Sequence, residues 1–372
     1  MRNKKLKPML KWTGGKSQEL SVIQEYMPEK FENYYEPFIG GGAVWFAIDS
    51  TTHNCFVNDY SKELILFYNF VKDRDANFIK YIEEFSNVWE MTTVYMKNNG
   101  DVWKDMFLKY RKDEISLEEI KIKLEKEIIN NKELCILFNE EDLLKEEYQK
   151  RIIDKIKRIK INDTKKEELP DTEIVKNIES GFKAALYMSA RKLYNNKKFK
   201  TKNIQLWIAL YFIMRNYSYS GMFRYNSSGG FNVPFGGISY MTKDLRTKLK
   251  YYQKPELLSH LNKSTILQGD FEDFLRENKA TTKDFIFLDP PYDSEFSAYE
   301  GNKFEAKEQI RLANYFVNEC KAKWMMVIKY TDFIYDLYNK SGINIIFFDK
   351  KYAVSFMGRN ERETQHIIIK NY

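Results

Sequence analysis

Residues Asp284 to Tyr292 read DFIFLDPPY, and the fold turns on this stretch. Phe285 to Leu288 are aromatic, β-branched or aliphatic and too few for a helix, which predicts a strand buried on both faces, as in a parallel sheet. Pro290 and Pro291 lack the N–H that a ladder needs and bias the residue before them away from helical angles. The strand therefore stops abruptly and Asp289 stands at the carboxyl edge of the sheet, where open α/β sheets bind ligands.

A carboxylate, a proline carbonyl and an aromatic ring in succession suit a planar base that carries an amine. Asp289 and the Pro290 carbonyl can accept its two hydrogens while Tyr292 stacks on the ring, with Pro291 stiffening the corner. The lone pair of such an amine, in adenine or cytosine, is delocalised into the ring, and two acceptors help to localise it on nitrogen. Read alone, the stretch is equally a strand end with a proline stop, because short motifs recur by chance.

With 372 residues, the chain can bury a full core and hold one large domain with an insertion, or two domains. At 43% hydrophobic and 16% aromatic residues, it is not a disordered chain. The formal charge of +7 allows a polyanionic partner without demanding one. Cys55, Cys135 and Cys320 are scattered and His53, His260 and His366 equally so, which points to reduced thiols and no metal site. His366, beside an apolar run, reads as a core or edge residue. The basic start lacks a secretory apolar stretch, and the longest apolar run, Leu206 to Met214, is about half of what a membrane span needs. The expectation is a soluble, cytoplasmic protein without membrane contact.

Working outward from the corner, Lys11 to Ser17 read KWTGGKS. A P-loop would need a glycine where Leu10 stands and a strand ahead of it, so this is read as a Gly-hinged loop that presents Trp12 and Lys16 to a ligand. In YYEPFIGGGAVWF, a short strand is expected to end in Gly40, Gly41 and Gly42, with a helix from Ala43, and the glycines let backbone approach a cofactor at that helix's start. A second strand, Cys55 to Val57, ends in Asn58 and Asp59. Asp59 lies near the spacing at which an acid meets ribose hydroxyls, and a solvated Asp after a strand would look the same.

Residues 61 to 85 have helical periodicity and are expected to form one helix over the sheet. From 86 to 200 the chain is rich in charge with Ile and Leu at intervals of three and four, the pattern of exposed amphipathic helices, favoured here as a solvated spacer and otherwise as a DNA or partner contact. From Leu206 an apolar helix runs into YSYSGMFRYNSSGGFNVPFGG, with a hairpin turn at Ser228 to Gly230. Arg and Asn read base edges and aromatic rings fill the gap left by an extruded base, so Arg215, Arg224 and Asn226 favour recognition over a small aromatic core.

Towards the carboxyl end, strands are expected at 264–267, 324–329, 343–348 and 365–369, the last two forming a hairpin that gives the parallel sheet an antiparallel edge. Residues 296–304 read as a mobile lid and 350–362 as a basic loop. The segments are a first catalytic part, 1–85; a helical insertion, 86–200; a DNA-recognition subdomain, 201–260; and a second catalytic part, 261–372.

Taken together, KWTGGKS, EPFIGGGAVWF, VNDYSKELILFYNFV, YSYSGMFRYN with FNVPFGG, GDFEDF, DPPY and FSAYEGNKF resemble the Dam-like, D12-class DNA adenine N6-methyltransferases, in that family's order. The joint pattern is specific where no single piece is. The resemblance implies a Rossmann-like methyltransferase sheet that uses S-adenosylmethionine. It implies that Trp12, Lys16, Phe38, Asp59 and Asp289 surround that cofactor together with the Gly40–Gly42 backbone, that Asp270 and Phe271 flank its adenine, and that Asp289 to Tyr292 hold the target base. Tyr219, Ser220, Met222, Arg224 and Asn226 fall where the family contacts double-stranded DNA. Ser220 replaces an Asn of the best-known members, the charged insertion is missing from compact ones and the final hairpin differs, so GATC is only a default target. A monomer on DNA and a cognate restriction endonuclease are further implications. Direct transfer of the sulfonium methyl to adenine N6 needs alignment and an acceptor for developing positive charge, roles that suit Asp289 and need no metal. The rival readings are a cytosine N4- or RNA adenine methyltransferase and a non-catalytic DNA-binding protein of the same fold.

Overall fold

A computed structural model describes residues 6–165, 168–292, 304–351 and 363–372. The chain divides into two compact units, residues 1–73 with 252–372 and residues 74–251. These meet at 73/74 and 251/252, whereas composition had suggested breaks at 85, 200 and 260.

The first unit is built on a seven-stranded sheet, ordered β3-β2-β1-β4-β5-β7-β6. Its strands are β1 (Asn33–Glu36), β2 (Asn54–Asp59), β3 (Ser264–Gln268), β4 (Phe285–Leu288), β5 (Lys323–Lys329), β6 (Asn344–Lys351) and β7 (Glu363–Lys370). Pairings from β3 through β5 are parallel, and β7 runs antiparallel between β5 and β6, so the closing hairpin supplies the expected antiparallel edge. All four residues of β4 are buried, as its unbroken apolar run requires of a central parallel strand. Ile286 and Leu288 pack with Trp324, Met326, Ile367 and Ile369 against Phe274, Leu312 and Ile334. These last three belong to helices α11 (Phe271–Asn278), α12 (Ala306–Asn314) and α13 (Asp332–Tyr338). Each large apolar side chain so buried contributes about 1.5–3 kcal/mol. Between β1 and β4 the strand order changes direction. That topological switch point opens a crevice at the carboxyl ends of the two strands.

Two expectations are corrected here. Residues 61–85 are not one helix: α2 (Lys62–Lys72) stops, Arg74 takes a left-handed φ of 53°, and Asp75 caps α3 (Ala76–Arg111) by accepting from the Phe78 N–H at 2.8 Å. No glycine or proline marks the break, so apolar periodicity runs through it. Nor does a helix follow the glycines. The chain makes a single 3-10 turn at Trp45–Ala47, whose three side chains are buried, so the loop is not backed by a helix dipole.

The second unit is helical, with α3 followed by α4 (Leu117–Asn130), α5 (Glu141–Lys165), α6 (Asp171–Asn195), α7 (Lys197–Lys202), α8 (Ile204–Tyr217) and most of α9 (Leu245–Tyr252). The spacer reading of 86–200 is also corrected. Trp103, Phe107, Leu124, Tyr148, Ile152, Ile156, Phe182 and Leu186 are buried, so the charged helices close over a core of their own. Apolar residues at intervals of three and four made that core; the charge between them covers its outside. No helix among the described residues is long and apolar enough to cross a membrane.

Candidate active site

Where β4 ends, Asp289 forms an ion pair with Lys16, which comes from the amino-terminal glycine loop 273 residues earlier. The Lys16 side chain is 2% exposed and that of Asp289 21%, so the cation is sealed behind a carboxylate that still faces outward. Lys16 Nζ also donates to the Gly14 carbonyl at 3.1 Å and lies 3.4 Å from the Tyr292 hydroxyl. Gly14 has a φ of 78°, which lets the chain turn back and brings the Gly15 N–H to the Trp12 carbonyl at 3.2 Å. The glycine loop and the tandem-proline corner therefore occupy one place.

Two further residues fasten the corner. The Gln309 amide on α12 donates to the Pro291 carbonyl at 2.8 Å, and Gln309 is fully buried. His366, buried on β7, places Nε2 3.3 Å from the Tyr292 hydroxyl. His366 is the core residue expected, with this contact added. Gln309 had been overlooked: one Gln in an ordinary amphipathic helix carries no motif. Close by, Glu36 is buried and accepts from the Tyr34 hydroxyl at 2.7 Å. Burial, with the Asp289 charge adding to it, pushes the Glu36 carboxyl well above the usual carboxylate range.

The remaining predicted residues line the carboxyl ends of β1, β2 and β3. Asp59 accepts from the Gly40 N–H and the Ser61 N–H, each at 2.9 Å, and the Tyr68 hydroxyl donates to the Gly40 carbonyl at 2.9 Å. Asn58, at the end of β2, donates to the carbonyls of Pro37 at 3.1 Å and Gly269 at 3.0 Å, which ties the neighbouring loops together. Gly40 has a φ of 46°, and a Cβ there would stand 2.8 Å from the Trp12 indole nitrogen. The space left by that glycine is thus filled by Trp12. A methyl on Gly42 would meet the Trp45 and Phe46 rings at 3.0 Å.

Phe38 stands 5.4 Å from Phe271 and edge-on to Phe304 at 5.6 Å, forming an aromatic cluster at the same edge. Asp270 caps α11 by accepting from the Glu272 N–H at 2.9 Å and pairs with Arg311 of α12 at 2.5 Å. The Arg311 guanidinium in turn lies 4.4 Å over the Phe271 ring. Of the expected lid only Phe304 is described; Phe296 to Gly301 lie outside the described residues, as does most of the 350–362 loop.

The predicted DNA contacts lie in the second unit. Residues 218–235 form a ribbon with antiparallel bridges Ser218–Phe235 and Tyr225–Phe231. Asn226 closes its tip by accepting from the Gly230 N–H and the Ser228 hydroxyl, each at 2.8 Å, so its side-chain oxygen already serves the turn. Arg224 is exposed and donates to Asn232 Oδ1 at 3.1 Å, Tyr219 is half exposed, and Met222 is partly covered. Ser220 holds a φ of 53°, a conformation that Asn takes more readily than Ser. Arg215, read as a recognition residue, is instead 2% exposed with its guanidinium 3.8 Å over the Phe223 ring. It lies within the buried run Leu206–Tyr217 at the end of α8 and packs against the ribbon through Phe223.

The chain was compared with known proteins. It is 26% identical over 371 residues to the Type II methyltransferase M.CviBI of Paramecium bursaria Chlorella virus NC1A, covering 99% of this chain and 100% of that one. It is 26% identical over 383 residues to the Type II methyltransferase M.MjaIII of Methanocaldococcus jannaschii, with 99% of each covered. A DNA adenine methylase of Vibrio cholerae is 24% identical over 370 residues, 96% of this chain and 94% of its own. The family model for D12 class N6 adenine-specific DNA methyltransferases matches residues 12–142 and 156–354, so the chain belongs to that family of enzymes.

Proposed function

We propose that this adenine-specific DNA methyltransferase takes its methyl group from S-adenosylmethionine and transfers it to N6 of an adenine turned out of double-stranded DNA. The observation that carries the reading is the Lys16–Asp289 pair, which joins the loop expected to hold the donor to the corner expected to hold the base. Polar and aromatic groups at the strand ends fit the donor chemically. Asp59, a carboxylate at the end of β2, is of the type that accepts from ribose hydroxyls, and Phe38, Phe271 and Phe304 offer a bed for a purine. Lys16 supplies the cation.

When bound, the donor provides a methyl group already activated by the positive charge on sulfur. The chain's own task is then to hold the amine in line and to meet the charge that grows on nitrogen. Asp289 and the Pro290 carbonyl accept the two amine hydrogens, and Tyr292, steadied by Lys16 and His366, stacks on the ring. Gln309 keeps the Pro291 carbonyl turned away from the base. Tyr219, Ser220, Met222 and Arg224 contact the DNA around the extruded adenine, with Asn226 shaping the tip that presents them. A restriction system with a partner endonuclease is the setting suggested by the names of the Type II relatives.

The test is to incubate the enzyme with labelled S-adenosylmethionine and duplex DNA and to digest the product to nucleosides. N6-methyladenosine in its deoxy form is expected as the labelled product. Label in N4-methyldeoxycytidine, transfer to RNA alone, or DNA binding with no donor uptake by calorimetry would each contradict the reading.

A further inference from the structure

Between Ser180 and Lys243, a run of 64 residues, there is no Asp or Glu at all. At the chain's average, about nine would be expected. Ten of the chain's 60 basic residues and none of its 53 acidic ones fall there, so the remainder is slightly acidic and the excess of +7 comes from this run. Most of its cations have internal work. Lys183 is buried against the Trp89 carbonyl and Arg215 under Phe223; Arg191 donates to the Val233 carbonyl at 3.2 Å and Lys243 to that of Asn216 at 2.7 Å. Lys192 pairs with Glu147 at 2.7 Å, and Lys200 lies 4.7 Å over the Trp207 ring.

Besides Arg224 on the ribbon, which donates to Asn232, three cations remain. Lys197, Lys198 and Lys202 are exposed on α7 and, among the described residues, are matched to no carboxylate. Helix α7 begins two residues after Asn195, whose side chain donates to the Phe231 carbonyl at 3.0 Å and accepts from the Phe231 N–H at 2.8 Å. One residue earlier, the Tyr194 hydroxyl meets that of Tyr225 at 2.8 Å. Phe231 and Tyr225 face each other across the ribbon that carries Arg224. The three lysines are therefore fastened to the base-reading ribbon through two short links, in a stretch of chain that carries no carboxylate of its own.

We infer that α7 is a phosphate-contacting arm: Lys197, Lys198 and Lys202 grip the backbone of duplex DNA beside the bases read from the ribbon, adding affinity and orientation without sequence preference. Lysine ammonium groups on flexible stems suit phosphates, which present charge without a fixed planar geometry. The inference rests on the chain acting on DNA; a wild-type protein that bound duplex DNA but transferred no methyl group would remove the donor reading and leave this one standing.

The experiment measures binding of duplex DNA, with and without the target sequence, across a range of salt. It compares the wild type with the triple variant Lys197→Gln, Lys198→Gln, Lys202→Gln and with a control triple, Lys109→Gln, Lys126→Gln, Lys150→Gln. The control residues are exposed on acid-containing helices of the same unit and change the net charge equally. The α7 triple is expected to flatten the slope of log affinity against log salt by about 2.7, at about 0.9 per phosphate contact, on target and non-target DNA alike. The control should leave the slope unchanged. Arg224→Ala supplies the opposite signature, an affinity loss of about 10- to 100-fold confined to the target duplex. Circular dichroism checks that each variant is folded. An α7 slope equal to the wild type, an equal fall in the control triple, or a loss confined to the target sequence would overturn the inference.

Discussion

The corner after β4 and the acid-free run of the second unit handle charge in opposite ways. At the corner, Lys16 is sealed against Asp289, Glu36 is held toward its neutral form and a buried Gln secures the turn. In the acid-free run, Lys197, Lys198 and Lys202 stand in water. Buried, paired charges fix geometry, and removing one leaves its partner stranded. Exposed like charges fix little among themselves and act on whatever counter-charge arrives, with a strength that salt sets. Changes at the corner should therefore be abrupt and insensitive to salt, whereas changes in the run should be graded and salt-dependent.

The largest expected effect that sharpens this contrast comes from acid. His260, on α10 (Pro255–Asn262), is buried against the Trp45 and Phe46 rings behind the glycine loop, and neither ring nitrogen has a hydrogen-bond partner among the described residues. Burial lowers its pKa to about 4. As pH falls below the ordinary value near 6.5, the unfolded chain takes up a proton that the folded chain refuses. Stability present above pH 6.5 is lost on the way down to about 4, to a limit of about 3 kcal/mol. His260→Leu should remove this slope from melting curves between pH 4 and 6.5. If the slope survived in that variant, other groups would be responsible.

Next in size is Gln309. Replacing it with Ala frees the Pro291 carbonyl, and the resulting misplacement of the corner should lower the methyl-transfer rate about 10- to 100-fold with little change in the KM for DNA. Gln309→Glu sets an acceptor against that carbonyl unless the acid is protonated, so its rate should recover as pH falls towards the carboxyl pKa while the Ala variant's does not. A loss in KM alone would make Gln309 a packing residue. The α7 triple has its largest effect on binding at low salt and the effect fades as salt rises, which is the other half of the comparison.

How far the sequence could be read follows from the same distinction. DPPY, the glycine loops and Asp59 were legible because strand ends and tight turns draw on few residue types, and these types stood at the positions the topology brings together. The break at Arg74 was not, since periodicity continues across it with no glycine or proline to mark the stop. The 3-10 turn at Trp45 looked helical because three buried side chains satisfy either conformation. The core of 86–200 was hidden by the charge that covers it, and Arg215 was misread since a guanidinium over an aromatic ring looks, in sequence, like one on a surface. Gln309 and the absence of carboxylates from 180 to 243 needed, respectively, a long-range contact and a count over a longer window than any motif.

The central claim is that Asp289 stands beside the reacting nitrogen. Single-turnover methyl transfer by Asp289→Asn, with donor and duplex both saturating, tests it most directly. A rate at least about 100-fold below that of the wild type is expected, because the lost carboxylate no longer meets the charge on nitrogen, while donor binding by calorimetry persists. A wild-type rate in that variant would contradict the account.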